Sequence, residues 1–187
     1  MGSLGKLGYF VTVIFIIFKS CFKHLKPVWM ASMRIYHFLQ NKGIQYQWIQ
    51  HAPAFSAQKL AKTLRIPGRF IAKSVLLKKN GFQFIAVLAA DSMLDRLAIE
   101  NHLDGKIQFA NSIDISETFF DCEWGVVPAI GSAYNIPAVF DSALLDSPYL
   151  ILQGHSHMES VKLNLRDYLG LENPKIFDFS LQSLIAI

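Results

Sequence analysis

The sequence predicts a mixed α/β or α+β fold of one domain, with helices packed on a mixed sheet. Three observations carry this expectation. The chain has 187 residues, 52% of them apolar and 17% charged, enough to bury one core and too apolar for disorder. Two β-rich runs flank Asn80-Gly81 in "FIAKSVLLKKNGFQFIAVLAA", the strongest short-range hairpin signal. Helix-periodic and strand-periodic segments are interspersed along the chain, with no internal repeat and no low-complexity stretch.

Taken in order, "MRIYHFLQNKG" has apolar positions at helical spacing and stops at Gly43, a good C-cap residue. "YQWIQ" alternates as a half-buried strand does. "SAQKLAKTL" opens on Ser56 as N-cap and sets Leu60, Ala61 and Leu64 on one face, with Lys59 and Lys62 away from it. The hairpin follows. "DSMLDRLAIENHL" is expected to be a helix beginning at an Asp cap, and short strands are expected at 137–141, 149–153 and 158–163. "LRDYLGL" reads as a helix and "KIFDF" as a last strand.

Residues 1–29 stand apart. "YFVTVIFIIF" is an apolar run of ten residues between Lys6 and Lys19, shorter than the roughly 20 needed to span a bilayer. Its length suits the core of a signal peptide, but no small-residue cleavage site follows closely. Met30 and Met33 stand where the folded pattern begins. The expectation is therefore a leader that results from start-site choice, and the alternative is a short membrane-surface anchor. Cys21 and Cys122 form no spacing pattern and read as reduced thiols of a cytosolic protein.

Charge is unevenly placed. The formal net charge of +4 belongs to four leader lysines, and the remaining chain has 14 cations and 14 carboxylates. From Arg34 to Ala90 there are nine cations and no carboxylate; from Asp91 onward there are fourteen carboxylates and five cations. Such asymmetry points to an anionic partner such as nucleic acid, unless folding interleaves the halves and cancels the field.

Two features could carry chemistry. Lys73 interrupts the apolar run "FIAKSVLL". It is either an edge lysine snorkelling to solvent or a cation held rigidly in a cleft, where it would bind phosphate or stabilise developing negative charge. "FFDCEWGVVPAIGSAYNIPAVFD" places Gly125, Pro128, Gly131 and Pro137 among apolar residues. A bent, dry backbone of this kind lets a ligand approach closely and aims amides at it; the plain alternative is a buried bulge or sheet corner. "HSH" at 155–157 puts two imidazoles on one side of an expected strand, but no third ligand has metal-site spacing, so solvated or core histidines are expected. Cys122 sits between Asp121 and Glu123, which disfavour a thiolate. There is neither a G-x-S-x-G elbow nor a phosphate loop.

The ordered set "HAPAFSA", "IAKSVLLKKNG", "FIAVLAAD", "FFDCEWGVVPAIG", "IPAVFD", "GHSHMESVKL" and "KIFDFS" resembles the YbaK/ProX family of aminoacyl-tRNA editing domains, over about residues 34–180. The family occurs free-standing and as the inserted editing domain of bacterial prolyl-tRNA synthetases. The resemblance implies a mixed, largely antiparallel sheet closing towards a barrel and surrounded by helices. It also implies hydrolysis of the ester joining a wrong, small amino acid to tRNA, without metal or cofactor. The implied partners are mischarged tRNA and an aminoacyl-tRNA synthetase, in the cytoplasm, with membrane association only through residues 1–29.

Residue by residue, the family's lysine falls on Lys73 as the catalytic group, and its small hydroxyl residue on Ser74. The family's G-x-x-x-P loop falls on 124–128, with Trp124 in the first position and Gly125 in the second. The substrate-binding set it implies is His51, Ser74, Gly125, Val126, Val127, Pro128, Gly131, Asp141 and His157. In "GHSH" the position expected to be glycine is His155. A different class of function, a module that binds a tRNA acceptor end or another anionic ligand without hydrolysis, fits the same residues.

Overall fold

The computed structural model describes residues 34–182. The leader and Cys21, with the start-site and anchor readings that depend on them, lie outside the described residues.

The first elements follow the sequence pattern. Helix α1 (Arg34–Asn41) buries Ile35, Tyr36 and Leu39, and Gly43 behind it takes φ +69°. Strand β1 (Tyr46–Gln50) leads to α2 (Ala57–Leu64), where Ser56 Oγ accepts from the Lys59 amide at 3.1 Å. A 3-10 turn at Gly68–Phe70 enters the hairpin of β2 (Ile71–Lys79) and β3 (Phe82–Ala89). Asn80 and Gly81 both have positive φ, 50° and 82°, as a tight two-residue hairpin turn requires.

The helix expected from Asp91 starts later. Ser92–Leu94 form β4, paired with β10 (Ser180–Gln182), and Asp95, not Asp91, caps α3 (Arg96–His102) by accepting from the Ala98 amide at 3.1 Å. A long-range strand pair has overridden the local helical pattern. Two short elements had no expectation: β5 (Gln108–Phe109) and α4 (Ser112–Thr118), whose ends are fixed by an Asn111–Asp114 capping box. The remaining strands fall where expected, as β6 (Ala138–Asp141), β7 (Tyr149–Gln153) and β8 (Glu159–Asn164), followed by α5 (Leu165–Glu172). The last strand is shorter than expected. β9 (Lys175–Phe177) ends as the chain turns to bury Phe179 and leaves for β4.

The main sheet runs β1-β8-β7-β2-β3-β6-β9, with β5 also on β2. It is mixed: β2–β7, β3–β6 and β6–β9 are parallel and the other pairs antiparallel. Among the described residues it is not closed into a barrel. There β1 pairs only with β8 and β9 only with β6, so the two end strands are not hydrogen-bonded to each other.

One edge of β2 is shared. β3 occupies the other edge from Ala72 to Lys79, so β7 and β5 must divide what remains. β7 takes Ile71 and Ala72, β5 takes Leu77 and Lys78 with the Ala110 amide on the Leu76 carbonyl, and among the described residues no strand pairs with Lys73–Val75 on that side. This gap lies in a well-packed frame. Leu77, Phe84, Ala86, Leu88, Ile99 and Phe179 form one core cluster, and Ala54, Leu60, Ile71, Ala90 and Ile151 another. Each large apolar side chain so buried contributes about 1.5–3 kcal/mol relative to exposure, which holds the strand on both sides of the break.

Candidate active site

The loop between α4 and the 3-10 turn at Gly131–Tyr134 is tethered to the unpaired stretch of β2 through a side chain. Ser74 Oγ, on the unpaired stretch of β2, donates to the Val127 carbonyl. The loop is bent by local bonds: the Cys122 amide donates to the Phe119 carbonyl at 2.9 Å and the Val126 amide to Glu123 at 3.0 Å. Gly125 turns the backbone at φ +84°, a conformation L side chains rarely adopt, and a Cβ there would meet nothing within 4 Å. Val126 and Pro128 are buried while Trp124 and Gly125 face outward. Residues 119–128 are thus dry on one side and open to an approaching ligand on the other.

His157 clamps this loop from the β7–β8 turn. Its Nε2 bonds the Trp124 carbonyl at 3.1 Å and its Nδ1 meets Gln153 Nε2 at 3.0 Å, a pattern satisfied by the neutral ring protonated on Nε2. The His157 amide donates to Glu123 Oε2 at 2.8 Å, and its carbonyl accepts from the Ala54 amide at 2.8 Å. His51, after β1, bonds Ser160 Oγ at 2.9 Å. The "HSH" residues lie in the turn rather than on a strand, because Gly154 and Glu159 close the turn with a backbone bond of 3.0 Å. Among the described residues no group of three or more His, Cys, Asp or Glu is placed to hold a metal ion.

Lys73 is held by another part of the fold. Its Nζ donates to the Ser92 carbonyl at 2.5 Å, at the start of β4. Burial lowers its pKa from the ordinary lysine value, and the Asp91 carboxylate partly restores it. Asp141 reaches the same small sheet from its other strand. Its carboxylate, 1% exposed, accepts from the Phe179 amide at 2.8 Å, from Ser180 Oγ at 3.0 Å and from the Ala143 amide at 3.0 Å. The β4–β10 pair therefore ties Lys73 to Asp141 at second hand. Gly131 is buried, and a Cβ on it would lie 2.4 Å from the Ile136 carbonyl oxygen, so its close approach is to the chain's own backbone. The structure thus joins Ser74, Val127, Trp124 and His157 directly, and leaves Lys73, Asp141 and Gly131 in separate hydrogen-bonded settings.

Beneath the loop lies a buried polar cluster with no precedent in the sequence reading. His155 accepts from the Ile35 amide at 3.3 Å, and its Nε2 stands 3.6 Å from Asp121 Oδ2. Its own amide donates to Glu159 Oε1 at 3.0 Å, and its carbonyl accepts from the Glu123 amide at 2.7 Å. Burial pushes the imidazole down to about 4, although the Asp121 carboxylate pulls it upward. Cys122 meets the Tyr134 hydroxyl at 3.3 Å; burial, more than the adjacent carboxylates, raises the thiol to about 12 and makes it a poor nucleophile. The Tyr36 ring lies 5.2 Å from the imidazole, and only the "GHSHMES" spacing could have hinted at the cluster, since Asp121 and Tyr36 come from distant segments.

A family model for the aminoacyl-tRNA editing domain matches residues 51–171, a stretch that contains β2, the tethered loop and the His157 turn. The chain belongs to the aminoacyl-tRNA editing domain family. Solved structures repeat the editing-domain fold. The crystal structure of a candidate trans-editing enzyme for prolyl tRNA synthetase aligns over 79% of this chain and 95% of its own, with a TM-score of 0.69 and 20% identity. A hypothetical protein aligns over 79% of this chain and 99% of its own, at a TM-score of 0.72 and 18% identity. A scaffold from epitope backbone grafting aligns over 79% and 96%, at 0.69 and 19%. At these identities the likeness is one of fold. A comparison with curated protein sequences gives no significant match.

Proposed function

We propose that this editing domain is a trans-acting aminoacyl-tRNA deacylase that hydrolyses the ester of a small, mischarged amino acid. The observation that carries the reading is the loop tethered to β2 by Ser74, with Gly125 turned towards open space. An aminoacyl ester is already activated, so its hydrolysis needs a placed water and a stabilised oxyanion more than a strong nucleophile. The Val126 amide is engaged by Glu123 within the loop, and the Gly125 and Val127 amides are the proposed oxyanion donors. Lys73 supplies a fixed cation. Ser92 takes one of the three N–H groups of its ammonium, and because Lys73 and Ser74 are neighbours on β2 and point to opposite faces of the sheet, the other two are proposed to hold a tRNA phosphate rather than the oxyanion at the loop. The terminal ribose hydroxyl of the tRNA helps to deliver the attacking water, and no step requires a metal.

Val127, half-buried, is proposed to line a small amino-acid pocket that accepts alanine, serine or cysteine and excludes larger side chains by size, with the buried Val126 and Pro128 stiffening its wall from behind. His51 and His157 position the loop and the β1 end of the site. tRNA is the partner, with or without a synthetase to present it, and the setting is the cytoplasm. No helix among the described residues is long and apolar enough to cross a membrane.

The experiment is deacylation of alanyl-, seryl-, cysteinyl- and prolyl-tRNA by the purified full-length chain. Release of at least one amino acid is expected. A second reading, an acceptor-end binding module, is favoured by Asp141, whose carboxylate already accepts three structural hydrogen bonds and is therefore engaged in holding the fold rather than placed to activate a water. Tight binding of aminoacyl-tRNA with every ester left intact would select that module over the enzyme.

A further inference from the structure

Two aromatic rings at the site are exposed, and neither contributes to the core. Phe55 is 74% and Trp124 64% exposed, although Ala54 and Val126 beside them are buried. Both segments are fastened to one residue. The His157 carbonyl accepts from Ala54, its Nε2 bonds the Trp124 carbonyl, and its ring lies 4.6 Å from the Phe55 ring. The buried half of each segment fixes the backbone and leaves the ring faces to solvent. A rigidly mounted, solvated aromatic face gives a monomer little stability, and flat ligands stack well on such a face.

The neighbouring charge narrows the ligand. Helix α2 begins two residues after Phe55 and contains no acid, and its exposed Lys59 and Lys62, with Arg65 at its C-cap, make no ion pair among the described residues. Aromatic faces beside unpaired cations match an unstacked base attached to a phosphate backbone. Trp124 stands one residue before Gly125, at the lip of the loop proposed to receive the aminoacyl ester. That ester is carried on the last nucleotide of an unpaired tRNA end, so the terminal bases must lie within about one nucleotide's length of the lip.

We propose that Trp124 and Phe55 form a stacking platform for the unpaired terminal bases of the tRNA acceptor end, with Lys59 and Lys62 on the adjoining phosphates. The inference rests on the deacylase reading for its choice of tRNA, and it assigns the acceptor end a seat outside the amino-acid pocket. Trp124 occupies the first position of a motif where the family resemblance expects glycine, so the platform is a property of this chain.

The test uses the full-length protein and the ribotrinucleotide CpCpA, which carries no amino acid. Titration should quench tryptophan emission in wild type. Trp124→Ala and Phe55→Ala should each weaken binding on the order of tenfold, the effect of losing one stacked base. Trp124→Phe should keep most of the affinity while losing the quench, and Lys59→Gln with Lys62→Gln should flatten the salt dependence. Both aromatic side chains are exposed, so thermal melting of the variants should match wild type. KM for aminoacyl-tRNA should rise in step with the lost trinucleotide affinity. Equal CpCpA affinity in wild type and both alanine variants would overturn the platform and direct attention to a protein partner for the exposed rings. Deacylation by a wild type that fails to bind CpCpA would overturn it as well, with the proposed activity intact. Binding that depends on Trp124 in a protein that hydrolyses no aminoacyl-tRNA would uphold the platform and sink the deacylase reading.

Discussion

Lys73 shows how one residue can be legible in sequence while its setting is not. A lysine inside "FIAKSVLL" announces a strand cation, and the strand is there. What the pattern could not give is the Ser92 carbonyl that holds its ammonium, because Ser92 lies beyond the hairpin and is positioned by pairing with β10. Lys73→Ala is expected to abolish most deacylation while melting close to wild type; near-wild-type turnover would remove its catalytic role. Because burial lowers its pKa, the alkaline limb of the wild-type rate profile should fall at a pH below the ordinary lysine value of about 10.4. A limb at or above that value would indicate that Lys73 is not the titrating cation. His155 makes a separate prediction. Its folded pKa of about 4 lies below the unfolded value of about 6.5, so its contribution to stability is complete above the unfolded value and is lost as pH falls towards the folded one. The loss amounts to on the order of 3 kcal/mol, with Tyr36, His37, Asp121, Glu159 and Arg34 around the ring. Denaturant titrations at several pH values should show this slope in wild type and a shallower one in His155→Asn. Parallel slopes would mean that other groups govern acid stability.

Among the elements, the two glycines of the tethered segment are expected to part company. Punctuation by Gly and Pro within an apolar stretch marked both as places where a backbone bends, and nothing local distinguished them. The fold does. Gly125 needs its positive φ but has open space at its α-carbon, whereas Gly131 has an ordinary φ and the Ile136 carbonyl against it. Gly125→Val should cost about 1–2 kcal/mol of backbone strain and lower activity on small aminoacyl-tRNAs more than it lowers the melting point. Discrimination by an apolar pocket is limited to about 1–3 kcal/mol per methylene, so preferences among small amino acids should be incomplete. Unchanged rates and preferences in a normally melting variant would make 119–128 a structural corner. Gly131→Ala should do the reverse, costing about 1–3 kcal/mol by overpacking, with the specific activity of the folded fraction retained. The elements set by local rules, such as the Ser56-capped helix and the Asn80-Gly81 hairpin, could be read directly. Those set by distant partners, β4 and the shortened β9, could not, because a three-residue strand takes its identity from the strand it meets.

For the whole molecule, charge and length make the remaining prediction. The basic and acidic halves interleave only in part. Arg34 and Lys78 pair with Asp121 and Asp114 across the division, while α2 keeps its cations unpaired among the described residues. A chain starting at Met33 retains everything in the matched family region and should be soluble and as active as the full chain. Failure of that truncated chain to fold would show that residues before it pack on the domain, and membrane partition of the full-length protein alone would support an anchor. The division of β2 between β7 and β5 has a consequence for how the chain is made. Its hairpin with β3 needs only adjacent residues, but its parallel partner pairs Ile71 with Ile151, so that contact waits for about eighty more residues to be synthesised. A nascent chain would therefore carry a finished hairpin with one bare edge for several seconds at ordinary elongation rates of about 5–20 residues per second. During that interval the strand that later anchors the tethered loop is open to any neighbouring strand. Slowed elongation between codons 90 and 150 should then raise the aggregated fraction of newly made protein without altering the stability of molecules that have already folded.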